Sequence, residues 1–162
     1  MRFPELALIL VFLFGPTVPA AASDLDDLRA AFEGVAGALE TKDLDLLIDS
    51  MHPQAVIYGP GHLFPIDRAE IDSRQWRRMF DDMFARIISA GFTKMNVKYR
   101  VIGDTGLVWG DTRMAVDTRT GQDSTDKDSR ITVVFVKHDG RWVIAQWHES
   151  ELPVGARSLL RN

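Results

Sequence analysis

The chain has 162 residues, no cysteine, and 19 basic against 23 acidic residues for a formal net charge of −4. That length fits a single domain, and the lack of thiols excludes disulfides, thiol catalysis and cysteine-ligated zinc. The charge balance is mild and no basic stripe is interleaved with aromatics, which excludes nucleic acid as an expected partner.

In chain order, Arg2 is followed by an apolar run over residues 6–14, then Gly15-Pro16, Pro19 and Ala20-Ala21-Ala22. A charged start, a short apolar core and a small-residue cleavage site read as a secretory signal peptide over 1–22. The run falls well short of the ~20 residues that a membrane-spanning helix needs. The expected product is exported, periplasmic or secreted, with one domain over 23–153 and a short tail over 154–162.

Over 24–40 the apolar residues Leu25, Leu28, Phe32, Val35, Ala36 and Leu39 recur at helical spacing, with Asp24, Asp26 and Asp27 expected in the first turn. A second short helix is predicted over 43–51, stopped by His52-Pro53. Residues 55–58 read as a short strand, broken by Gly59-Pro60-Gly61, with a return over 62–64. Asp67 and Glu70 have the form of a helix cap, and Trp76, Met79, Phe80, Met83, Phe84, Ile87 and Ile88 predict the longest helix, over 68–90, with Gly91 as its stop. Residues 94–101 alternate as a strand with Met95, Val97, Tyr99 and Val101 inward. A strand over 107–116 follows. It puts Trp109, Asp111 and Arg113 on one face and Val108, Thr112 and Met114 on the other, and periodicity does not say which face meets the helices. The polar stretch 118–129 reads as a flexible hairpin connection. Two β-rich runs joined by Asp139-Gly140 then form a terminal hairpin. In its last strand Trp142, Ile144, Gln146 and His148 share one face by the period of two, and Val143, Ala145, Trp147 and Glu149 the other.

The terminal strand carries a resemblance. Gly140-Arg141-Trp142, an apolar stretch, and then His148-x-Ser150 is similar to the C-terminal signature of SnoaL-like domains, in the nuclear-transport-factor-2-like superfamily. The order of elements resembles that superfamily across the whole chain after residue 22. The resemblance implies an α+β fold in which a cone-shaped, curved antiparallel sheet wraps a long helix, with two further N-terminal helices. It also implies a conical pocket and a homodimer through the outer sheet face. Relatives of this kind include polyketide cyclases and ketosteroid isomerases, whose acid or base removes a proton beside a carbonyl in an apolar pocket. Where the family often reads His-Pro-Asp, this chain has Gln54 after His52-Pro53.

Candidate residues follow from chemistry. His148 is the candidate acid/base, because imidazole titrates near neutrality. Asp111 is a second candidate, whose pKa apolar burial would raise. Tyr58, Trp76, Trp109, Gln146 and His148 are the candidate ligand-binding residues. The expected function is binding of a small, largely apolar organic molecule. The alternatives are a cofactor-free isomerase, cyclase or dehydratase using His148, and a protein-association module with a filled pocket. No cofactor and no metal are expected, since the histidines are scattered; nor is any membrane contact after signal cleavage.

Overall fold

A computed structural model describes residues 20–59, 64–121 and 125–153. The elements are α1 (Ala20–Thr41), α2 (Leu44–Asp49), β1 (Met51–Tyr58), β2 (Ile66–Asp67), a 3-10 turn (Arg68–Glu70), α3 (Ser73–Arg86), β3 (Ile87–Lys94), β4 (Lys98–Ile102), β5 (Thr105–Thr118), β6 (Thr125–His138) and β7 (Arg141–Glu151). The sheet runs β2-β1-β7-β6-β5-β3, with β4 also paired to β5. It is mixed: β1 joins β7 in parallel, while the remaining pairs are antiparallel. Three helices and this curved, unclosed sheet form the α+β cone. Residues 1–19, the return over 62–63 and the tail over 154–162 lie outside the described residues.

Several predicted elements are corrected. The helix predicted over 68–90 divides, because Asp72 caps Ser73–Arg86 through a capping box with Gln75. Its cap competes successfully with the one at Asp67, which closes only a 3-10 turn. Beyond Arg86 the β-branched pair Ile87-Ile88 enters a strand instead of a last helical turn. The longest helix is therefore α1. Within it Asp24 pairs with Lys137 at 2.6 Å. The strand predicted over 94–101 is split by a turn at Met95-Asn96-Val97, leaving Met95 exposed. The polar stretch expected to be loop is ordered as β6 from Thr125, where Asp126 meets Arg113 across the strands.

The core lies between α1 and the concave sheet face. Leu28 and Phe32 are fully buried, and Phe32 stacks on Trp147 with ring centroids 6.2 Å apart. It also meets Phe92 and Tyr99 edge-on. Gly106 permits this approach, since a Cβ there would meet the Leu28 side chain at 2.6 Å. α1 also blunts the free edge of β3: the Phe92 N–H donates to Glu40 Oε1 at 2.8 Å, and Lys42 donates to the Ile87 carbonyl at 3.0 Å. Where β5 exchanges β4 for β3 as its neighbour, Gly110 adopts φ +155° and lies so close to the Asn96 carbonyl that a side chain would clash.

The faces of β7 are set by one inserted residue. Val134 pairs with Gln146 and Phe135 with Ile144, so Ala145 has no partner and forms a bulge. Trp142 and Ile144 point to the core before it, Trp147 and Glu149 after it. The expectation that Gln146 and His148 share the face of Trp142 and Ile144 is corrected: both are exposed on the outer face. Trp147 is packed within the core.

Candidate functional site

The concave face carries apolar residues, and its polar exceptions are few. On β5, Val108 is fully buried in the core, which assigns the face of Val108, Thr112, Met114 and Val116 to the helix side. α3 covers the far end of that face. Between them is an open cleft of about 440 Å³, lined by Met79, Met83, Ile87 and Val116, with Asp82, Arg86 and Thr118 among its walls. Two depressions of similar volume, about 450 and 510 Å³, border the Asp24 end of α1. The α3 cleft is walled by Val116, an inward residue of the C-terminal half of β5, and so opens onto the concave side.

Further in along β5 the face turns polar. Thr112 lies four residues from Val116 on the same side, about 13 Å deeper at the strand rise. It is 0 % exposed, and its hydroxyl has no hydrogen-bond partner among the described residues. Its cross-strand neighbour is Ser129, 2 % exposed. Glu149, 7 % exposed, is hydrogen-bonded with Ser129 and with Trp147. Burial pushes the Glu149 carboxyl above its usual range, and Glu151 adds to that; the hydrogen bonds from Ser129 and Trp147 oppose it. A carboxyl with few charge partners in apolar surroundings favours its neutral form, in which it can donate as well as accept.

The sequence candidates are distributed otherwise. Tyr58, Trp109, Asp111, Gln146 and His148 all come to the outer face. Trp109, Thr132, His148 and Tyr58 form one transverse row across β5, β6, β7 and β1. The Tyr58 and His148 rings meet edge-on with centroids 5.9 Å apart, and the Arg100 guanidinium sits 5.3 Å from the Trp109 ring. Asp111 is buried beneath the adjoining turn, and its partner is Arg130 at 3.1 Å. Trp109 and Asp111 share a small depression of about 160 Å³ with Lys98 and Arg130. Trp76 is apart from all of these. It is fully buried on α3 against Phe80, and its indole N–H has no hydrogen-bond partner among the described residues.

Sequence reasoning missed Glu149, Ser129 and Thr112. A residue inserted into β7 hides Glu149 from any period-of-two reading, and Ser129 sat in a stretch read as loop. The available signal was Glu149 itself, an acid two residues after the apolar Trp147 on the same face of the strand. Among the described residues no group of three or more His, Asp or Glu could hold a metal. His52 and His138 meet edge-on at 4.7 Å away from the cleft.

A family model for the SnoaL-like domain matches residues 28–155. The chain belongs to the SnoaL-like domain family. No curated protein matches it. Among solved structures it is similar to a proposed dehydratase of the nuclear-transport-factor-2-like family from Streptomyces avermitilis, at 18% identity and TM-score 0.70, covering 82% of this chain and 99% of that one. It is also similar to a proposed scytalone dehydratase from Novosphingobium aromaticivorans, at 8% identity and TM-score 0.69, over 82% and 86%. A third is a proposed association domain of a calcium/calmodulin-dependent protein kinase II from Xanthomonas campestris, at 20% identity and TM-score 0.65, over 90% and 99%. Identities this low establish the fold alone, and these neighbours include both proposed dehydratases and a proposed association domain.

The state of Glu149 has a consequence for stability. Because its pKa is raised on folding, the unfolded chain releases this proton at lower pH than the folded one. The folded state therefore loses stability as pH rises from the ordinary glutamate value through the raised value, and the penalty is complete above it. Glu149→Gln is expected to stabilise the protein at about pH 8 and to have little effect near pH 3, below the ordinary range. Urea unfolding at the two pH values checks this; an equal effect at both would contradict it.

Proposed function

We propose that this SnoaL-like domain is exported and binds a small, largely apolar organic molecule in the cleft between α3 and the concave face of β5. The observation that carries the reading is the cleft itself: about 440 Å³, within the usual range for small ligands, with Met79, Met83, Ile87 and Val116 as apolar walls. Methionine walls suit an apolar guest, because the unbranched thioether adapts its shape at low cost. Prodan, a neutral fluorescent naphthalene ketone, is expected to shift its emission to the blue on titration with the protein. Met83→Trp, which fills the cleft, should weaken this binding by about tenfold or more while the thermal midpoint stays close to that of the parent. A parent protein that leaves the emission unchanged would overturn the reading.

A catalytic version, a cofactor-free isomerase, cyclase or dehydratase, is favoured by one observation. Glu149 is a buried acid with a raised pKa on the concave side, the property that general acid–base chemistry requires. His148 was the sequence candidate for this role, and its exposure on the outer face favours Glu149 in its place.

We read the outer face as the contact between two copies. Val56, Leu107 and Val134 stand there only partly covered, beside the exposed Tyr58, and a solvated sheet face has little reason to carry them. Intact mass and light scattering of the exported protein test both points. The expected species starts at Ser23 and is a dimer that Val134→Lys converts to a monomer. Retention of residues 1–22 would overturn export, and a monomeric parent would overturn the contact.

A further inference from the structure

The register of β1 on β7 breaks at its first residues. Met51 pairs with Ile144 and the next pair is Val56 with Gln146, so residues 52–55 stand where β7 has Ala145 alone. An excursion of this size takes backbone groups out of the ladder, and they need partners elsewhere. Arg68, in the turn before α3, supplies them: its Nη1 donates to the Met51 carbonyl at 2.6 Å and to the His52 carbonyl at 3.3 Å. Within the excursion the backbone N–H of Gln54 donates to Nδ1 of His52 at 3.1 Å. The His52 ring meets His138, at the β6–β7 turn, edge-on at 4.7 Å. The Arg68 guanidinium also lies 5.5 Å from the ring of Trp76, which is fully buried on α3. One guanidinium thus ties β1 to α3.

Acceptance at Nδ1 fixes His52 as the neutral tautomer that carries its proton on Nε2. A second proton can go only to Nδ1, where it displaces the Gln54 N–H. The imidazolium so formed faces two basic groups, His138 and Arg68. The acids around it are turned to other partners. Asp49, at the end of α2, faces Arg68, and Asp67 accepts from the Ala69 N–H. Asp139 stands 3.6 Å from His138 with its side chain 85% exposed, where water screens it. On the same turn Lys137 is held by Asp24, and Arg141 lies across from His138. Burial, and after it the charges of His138 and Arg68, lower the pKa of His52 below the ordinary imidazole value.

We infer that His52, His138 and Arg68 form an acid-released latch between β1 and α3. While His52 is neutral, Arg68 holds the two carbonyls of β1 and rests on Trp76. Once His52 carries a charge it repels Arg68, the bond from Gln54 is lost, and the excursion and the start of α3 are freed together. Because the folded value lies below the unfolded one, the latch contributes stability that is present above about pH 6.5 and is lost as pH falls through the lowered value. The latch acts whatever the α3 cleft holds.

NMR titration of the full chain from about pH 8 to about pH 5 tests it, a range that spans the ordinary imidazole value. The His52 imidazole is expected to titrate below about 6.5. The backbone amide proton of Gln54 should move upfield, and the Trp76 indole signal should shift, both with the His52 midpoint. His138→Gln removes a facing charge and should raise that midpoint. His52→Asn places an uncharged amide oxygen where Nδ1 stands, so the Gln54 and Trp76 signals should hold constant across the range. A His52 midpoint at or above the ordinary value would overturn the latch, and so would a Trp76 signal that moves alike in the parent and in His52→Asn. Should His52→Asn fail to fold, the parent still decides: a midpoint shared by His52, Gln54 and Trp76 upholds the latch, and separate midpoints overturn it.

Discussion

One unpaired residue in the last strand decides what each side of the sheet can do. Ala145 interrupts the pairing of β7 with β6, and a shift by one residue exchanges every following side chain between the two faces. Before the bulge, Trp142 and Ile144 enter the core; after it, Trp147 and Glu149 do. Trp147 then completes the aromatic cluster with Phe32 and Phe92 that holds α1 in the cone, and Glu149 becomes the buried acid of the concave face. Without the insertion, Gln146 and His148 would point inward. The packing of α1 and the chemistry of the concave face thus depend on the same local irregularity.

Most of the architecture is legible in the residues. The stripe of Leu28, Phe32 and Val35, the Asp139-Gly140 turn and the β-branched runs around it each have a local cause that tertiary structure did not override. The Gly140-Arg141-Trp142 and His148-x-Ser150 pattern pointed to the SnoaL-like family, and the family match bears that out. The failures are equally physical. Ile87 and Ile88 continue a helical stripe, and only pairing with β5 draws them into a strand. Asp126 and Asp128 suggest loop, but Arg113 across the strand compensates their charge.

The site was less legible than the fold because it depends on which face each strand presents. Of the six candidate residues, Tyr58, Trp109, Asp111, Gln146 and His148 lie on the outer side of the sheet and Trp76 is buried on α3. Periodicity gives relative facing within a strand, but no absolute facing, and it fails at bulges. The polar residues of the concave face, Thr112, Ser129 and Glu149, come from three different strands, and only the register joins them. Seen together they divide the sheet: an outer face that carries half-covered apolar residues, and an inner one that carries the core and a small buried polar cluster.

The most direct test of this arrangement is the ionisation of Glu149 itself, followed by carbon-detected NMR of the labelled side-chain carboxyl with Glu149→Gln used for assignment. The expected result is a midpoint clearly above the ordinary glutamate value, as burial on the concave face requires. A midpoint at or below that value would mean that burial does not dominate the carboxyl's surroundings, which would contradict the account of the concave face.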